Sequence, residues 1–128
     1  MEAVRVYTRY DLPDKKGVTR RQRNEIVDVE SPLFEIPSDG LYLWEWFTDI
    51  NQCVHRIDFN GYYCCISPSD FLAWSKLTGN QINKYEYDCL SAMDRTYCKE
   101  LNADINAERA REEEERKRKL ESSRKGRR

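Results

Sequence analysis

The chain has 128 residues, which bounds it to one domain with at most an appendage. Charged residues make up 35% of it and hydrophobic residues 39%, so the core must be small and must lean on aromatic side chains, which bury large areas each. The net charge of -1 divides unevenly: Glu108 to Arg128 holds ten Lys/Arg against six Asp/Glu, and the rest is acidic, unlike the strongly basic face of a dedicated DNA-binding domain.

The segment Met1 to Tyr10 alternates polar and apolar residues and lacks the apolar run of a signal peptide. No apolar stretch approaches the roughly 20 residues needed to span a bilayer. The five cysteines are odd in number and show no framework spacing, so they read as reduced thiols. A cytoplasmic location, with no membrane contact, is the expectation.

Residues 1–38 are compatible with two short strands, one around Val4 and Val6 and one around Ile26, Val27 and Val29, or with a disordered segment. The turn-forming stretch Asp11 to Gly17 lies between them, and Pro32 and Pro37 carry the chain onward in extended form. A first helix is expected from about residue 40 to residue 54, with Ser38 or Asp39 as N-cap. Leu43, Trp46, Phe47, Ile50 and Val54 share its apolar face.

Asn60-Gly61 signals a turn, and Ser67-Pro68-Ser69-Asp70 combines a capping serine, a first-turn proline and an acidic residue at a helix start. The spacing predicts a helix over 68–79, ended by Gly79. Asn83 and Glu86 stand in capping-box spacing at the start of a third helix over 83–119. Its apolar stripe is Tyr87, Leu90, Met93, Tyr97, Leu101 and Ile105. Beyond Ile105 the helix is expected to continue as a solvated rod held by Glu-to-Lys/Arg pairs four residues apart, such as Glu112 with Arg116. The fold class is therefore mainly α. A three-helix domain spans residues 39–106, with a charged helical tail over 107–128 and an undecided segment over 1–38.

Catalytic machinery is sparse. His55 is the single histidine, and there is no phosphate-binding glycine loop or nucleophile elbow. A Cys–His pair drawn from Cys53, Cys64 or Cys65 with His55 is the one nucleophile arrangement available. The same residues could approach a zinc set, but adjacent Cys64 and Cys65 lack the two-residue gap that lets two thiolates converge on one ion. The expectation is a protein that is not an enzyme and carries no cofactor or metal. Two small basic clusters, Arg20 with Arg21 and Arg23, and Arg124 with Lys125, Arg127 and Arg128, read as solvated charge rather than a nucleic-acid site.

Asp94 falls inside the apolar sector of the third helix, between Leu90 and Tyr97. A carboxylate there needs donors. It either accepts from another helix's N-terminus or from an indole N–H of Trp44, Trp46 or Trp74, or it anchors a donor from a binding partner. Tyr42 and Trp44 point away from the buried sector of the first helix. Together with Asp94 they are the candidate partner-binding residues, because aromatic side chains dominate interface energetics.

Residues 41–101 carry a recognisable pattern. It runs Leu43-Trp44-Glu45-Trp46-Phe47, then Ile66-Ser67, Ala73-Trp74 and Leu77-Thr78-Gly79, then Glu86, Leu90, Met93-Asp94 and Tyr97. This resembles the tail assembly chaperones of long-tailed bacteriophages, encoded near the tape-measure gene. Lys84-Tyr85-Glu86 departs from the Pro-Trp-Glu associated with the third helix start, and residues 1–38 carry no resemblance. The resemblance implies a non-catalytic helper of virion morphogenesis in the host cytoplasm, with the tape-measure protein or tail-tube protein of the same phage as partner. Two other roles fit the same composition: a phage protein that binds a bacterial host factor, and a minor structural component of the tail.

Overall fold

The computed structural model describes residues 1–14, 16–54 and 56–126. Among the described residues five α-helices follow in chain order: α1 (Glu2–Val6), α2 (Arg20–Ile26), α3 (Leu41–Cys53), α4 (Pro68–Thr78) and α5 (Lys84–Gly126). A π-helical turn, Tyr7–Asp11, continues α1, and a 3-10 turn, Ser38–Gly40, leads into α3. No strand forms among the described residues, only isolated bridges between Pro13 and Thr19 and between Ile57 and Tyr63. The protein is mainly α, with a long C-terminal helix.

Helix starts follow local chemistry. The Ser67 side chain accepts from the Asp70 N–H at 3.2 Å, Pro68 occupies the first helical position, and Gly79 closes α4 in the left-handed conformation at φ +75°. At the start of α5, the Asn83 side chain accepts from the Glu86 N–H at 2.8 Å while the Glu86 carboxylate accepts from the Asn83 N–H at 3.0 Å. Helix α3 differs from expectation at its start. Neither Ser38 nor Asp39 caps it; both belong to the 3-10 turn, and Gly40 precedes the helix without a side-chain cap.

Helices α3, α4 and α5 surround a core of Leu43, Phe47, Ile50, Ile66, Phe71, Trp74, Leu90, Met93 and Tyr97. Full burial of one such side chain is worth about 1.5–3 kcal/mol. Trp46, expected in this core, is only half-buried and packs against its edge.

Among the described residues of 1–38 no hairpin forms; the segment carries helices instead. Val4 and Val6 lie in α1 and are buried, as is Thr8, whose hydroxyl donates to the Val4 carbonyl at 2.7 Å. Burial at residues 4, 6 and 8 mimics strand alternation, but here the segment is packed from more than one side, so alternation does not separate strand from helix. The second expected strand is also absent. Thr19 and Gln22 form a reciprocal capping box that starts α2, and Ile26, Val27 and Val29 are exposed. Arg21 ties the segment together by donating to Asp11 at 2.8 Å and to the Pro32 carbonyl at 2.7 Å.

From Arg111 onward every described side chain of α5 is exposed, and the pairs Glu113–Lys117, Glu114–Arg118 and Glu115–Lys119 run along it. Arg109 still touches the body: it donates to the Asn60 carbonyl and lies over the Tyr62 ring at 4.6 Å. Removing the chain after Ala110 is therefore expected to lower the stability measured by urea unfolding by less than about 1 kcal/mol, since exposed ion pairs contribute little. Truncation before residue 107 should cost about 0.5–1 kcal/mol more, through the lost cation–π contact. Loss of cooperative unfolding in the chain ending at Ala110 would mean that the charged rod packs somewhere.

Candidate partner-binding surface

Aromatic residues of α3 and α4 form a line that reaches the surface. Tyr42 meets Trp46 edge-on at 5.1 Å between ring centroids, and Trp46 meets Trp74 at 5.6 Å. The Tyr42 hydroxyl lies beside Glu86, whose carboxylate holds the phenol above its usual pKa range. Trp74 is buried and its indole N–H donates to Asp49 at 2.7 Å.

One turn away on α4, Phe71 packs edge-on against Tyr87 at 5.5 Å. Beside them lies an open groove of about 390 Å³, lined by Pro68, Phe71, Leu72, Ile82 and Tyr87 among others. Leu72, Leu77, Tyr85, Leu41 and Tyr42 are all exposed on α3, α4 and the first turn of α5. Of these, Leu72 lines the groove itself, which makes the groove and its margin the candidate surface for a partner.

The three candidate residues take different positions. Tyr42 is exposed on this surface. Trp44 is half-buried, because Tyr7 and Phe34 from the N-terminal segment close over it at 5.3 Å and 5.6 Å. Asp94 is 2% exposed and fully engaged within the fold. One oxygen accepts from Arg56, and the other accepts from the Ile66 N–H at 2.8 Å, just ahead of the α4 cap. Donation thus comes from the approach to a helix N-terminus and from a guanidinium, and not from an indole. Arg56 is also buried, lies over the Tyr97 ring at 4.8 Å and donates to the Cys98 sulfur at 3.4 Å.

Arg56 and Cys98 are not legible as site residues in the sequence. The available signal is Asp94 itself, since a buried carboxylate inside an apolar stripe calls for a buried cation. The loop carrying Arg56 is pinned to α5 by Asn102, whose side chain accepts from the Tyr63 N–H at 2.8 Å and donates to its carbonyl at 3.1 Å. Gly61 lies at φ +85° in that loop, and a Cβ there would come within 2.9 Å of the Arg109 guanidinium.

His55 lies outside the described residues, and with it the Cys–His and zinc arrangements built on it. Cys53, Cys64 and Cys65 are exposed. The basic residues near the N-terminus face acidic ones: Arg20 approaches Asp104, Arg21 binds Asp11, and Arg23 approaches Asp14. In the C-terminal cluster Arg124 and Lys125 are exposed, and Arg127 and Arg128 lie outside the described residues. No helix among the described residues is long and apolar enough to cross a membrane.

The molecule is a small helical body with an internally engaged ion pair, exposed aromatic and apolar side chains, and a long charged C-terminal helix. The phage tail assembly chaperone family matches residues 29–99, more than half of the chain, and the protein belongs to that family. No curated protein and no solved structure matches it. Membership implies protein partners from a phage tail. The match begins after α2, so α1 and α2 lie outside it.

Proposed function

We propose that this protein acts without catalysis, binding the tape-measure protein of its own phage in the host cytoplasm before tail assembly. The observation that carries this reading is the apolar surface around Leu72, Ile82, Tyr85 and Tyr87, left open in a family member whose buried carboxylate is already engaged inside the fold. An unassembled tape-measure helix presents an apolar stripe, and such a stripe seats in a groove by helix-in-groove recognition. Tyr42 supplies an exposed aromatic anchor at the edge of this surface, and Trp44 contributes through the edge that Tyr7 and Phe34 leave uncovered. Asp94 acts indirectly, by holding the Arg56 loop and the α4 start that shape the groove. The charged rod of α5 sets encounter rate and salt dependence more than affinity.

Co-expression of the tape-measure gene with and without this protein tests the reading. The expected result is a soluble tape-measure protein that co-purifies with this chain, and loss of both when Leu72 and Tyr85 are replaced together by Asp and Ser. Equal solubility with and without the protein, and no co-purification, would sink it. Recovery of the chain in purified virions at fixed stoichiometry would make it a tail component instead.

A further inference from the structure

The loop before α4 and the middle of α5 bring two cysteines together. The Sγ atoms of Cys65 and Cys98 lie within 4.8 Å of each other, although they are far apart in sequence. Cys65 is exposed and Cys98 is buried. A disulfide needs the sulfurs at about 2.05 Å, so closure requires the exposed Cys65 side chain and its loop to move inward toward Cys98. We propose that Cys65 and Cys98 form a thiol–disulfide exchange site that accepts a low-molecular-weight disulfide and closes into an intramolecular bridge.

The chemistry runs in two steps. The exposed Cys65 thiolate attacks one sulfur of the small disulfide, forming a mixed disulfide and releasing one small thiolate. Cys98 then loses its proton to solvent base, attacks the Cys65 sulfur, and expels the second small thiolate. The two protein thiols are oxidised, and the small disulfide is reduced to two thiols.

The surroundings set the order of events. Burial, reinforced by the Asp94 carboxylate, pushes the Cys98 thiol up to about 12, so Cys98 is the slow, resolving partner. Its thiol donates to the Cys64 carbonyl at 3.5 Å, which holds it against the loop that carries Cys65. Arg56 donates to the Cys98 sulfur at 3.4 Å and offsets part of the charge that develops when the proton leaves.

Cys65, Asp94 and Cys98 also have the spacing of a metal triad. Both Asp94 oxygens are already engaged, one by Arg56 and the other by the Ile66 N–H, so a cation there would compete with one of them and sit beside a buried guanidinium. Like-charge repulsion in a desolvated site disfavours that arrangement. Disulfide chemistry keeps the ion pair intact.

Reduced full-length protein incubated with glutathione disulfide, quenched at intervals with N-ethylmaleimide and analysed by intact mass and peptide mapping, tests the proposal. The expected course is a glutathione adduct on Cys65 that converts to a species two hydrogens lighter than the reduced chain, with Cys65 and Cys98 in one linked peptide. Cys65→Ser should abolish both species, Cys98→Ser should trap the adduct, and Cys64→Ser should leave the course unchanged. If Cys98→Ser does not fold, the map of the unsubstituted protein and the Cys65→Ser variant decide alone. A bridge through Cys53, Cys64 or Cys89, an adduct that never closes, or stoichiometric zinc shielding Cys65 and Cys98 would each overturn it.

Discussion

Replacing Asp94 by Ala is expected to destabilise the protein by about 3–5 kcal/mol, the range for removing one member of a buried ion pair. The side chains of Arg56 and Asp94 are 4% and 2% exposed, so the guanidinium left behind cannot recover its charge solvation without opening the loop. The Ile66 N–H would lose its acceptor at the same time, adding an unsatisfied donor beside the α4 start. Among the described residues the Nε of Arg56 already has no hydrogen-bond partner, so without Asp94 the guanidinium keeps only the Cys98 sulfur and the Tyr97 ring, neither of which carries a neutralising charge. Small domains hold only about 5–15 kcal/mol in total, so this single change should bring the protein near its folding threshold.

The double replacement Arg56→Met with Asp94→Leu should lose much less than Asp94→Ala, because it removes both charges from the interior. Urea unfolding of the two single variants and the double variant measures the coupling directly. A loss below about 1 kcal/mol for Asp94→Ala would show that the pair does not hold the loop to α5.

The three main helices can be read from local signals because each signal is local in the structure as well. Leu43, Phe47 and Ile50 on α3, Phe71 and Trp74 on α4, and Leu90, Met93 and Tyr97 on α5 follow helical spacing, and all are buried. What spacing does not contain is which face meets which. Trp46 shares an angular sector with Phe47 yet lies at the margin, because the neighbouring aromatic it meets is Trp74 rather than the centre of α5. The N-terminal segment escapes a reading by spacing for a similar reason. Val4, Val6 and Thr8 are buried together, and whether that pattern is a strand or a helix depends on neighbours distant in sequence.

The candidate surface is partly legible. Tyr42 lies on the flank of α3, about a quarter turn from its buried sector, and its exposure is in keeping with that position. The cover that Tyr7 and Phe34 place over Trp44 does not, because it comes from a segment whose own structure spacing leaves undecided. The groove is assembled from Pro68 and Leu72 on one side and Ile82 and Tyr87 on the other, across the turn at Gly79. No single window of sequence contains it. Asp94 announces a need for donors, but Arg56 supplies the charge from a loop with no periodic pattern of its own.

Trp74→Ala is expected to cost about 3–5 kcal/mol, as for other large buried aromatics truncated to a methyl. The indole is 6% exposed, rests on Trp46 at 5.6 Å and donates to Asp49 at 2.7 Å. Truncation leaves a cavity between α3 and α4 and removes the support beneath the Tyr42–Trp46 pair. Trp74→Phe separates the two contributions. It keeps a ring in the site and removes the N–H donor; Asp49 is exposed and can turn to water, so the loss should be about 1–2 kcal/mol, from the hydrogen bond and the smaller ring together. Trp46→Ala, at a half-buried position, should fall below Trp74→Ala in cost. Thermal and urea unfolding followed by circular dichroism gives the ranking, with the order Trp74→Ala, then Trp46→Ala or Trp74→Phe, expected. A midpoint unchanged by Trp74→Ala would place Trp74 outside the core. A Trp74→Phe loss equal to that of Trp74→Ala would move the weight from packing to the bond with Asp49, and with it the reason that α4 seats against α3.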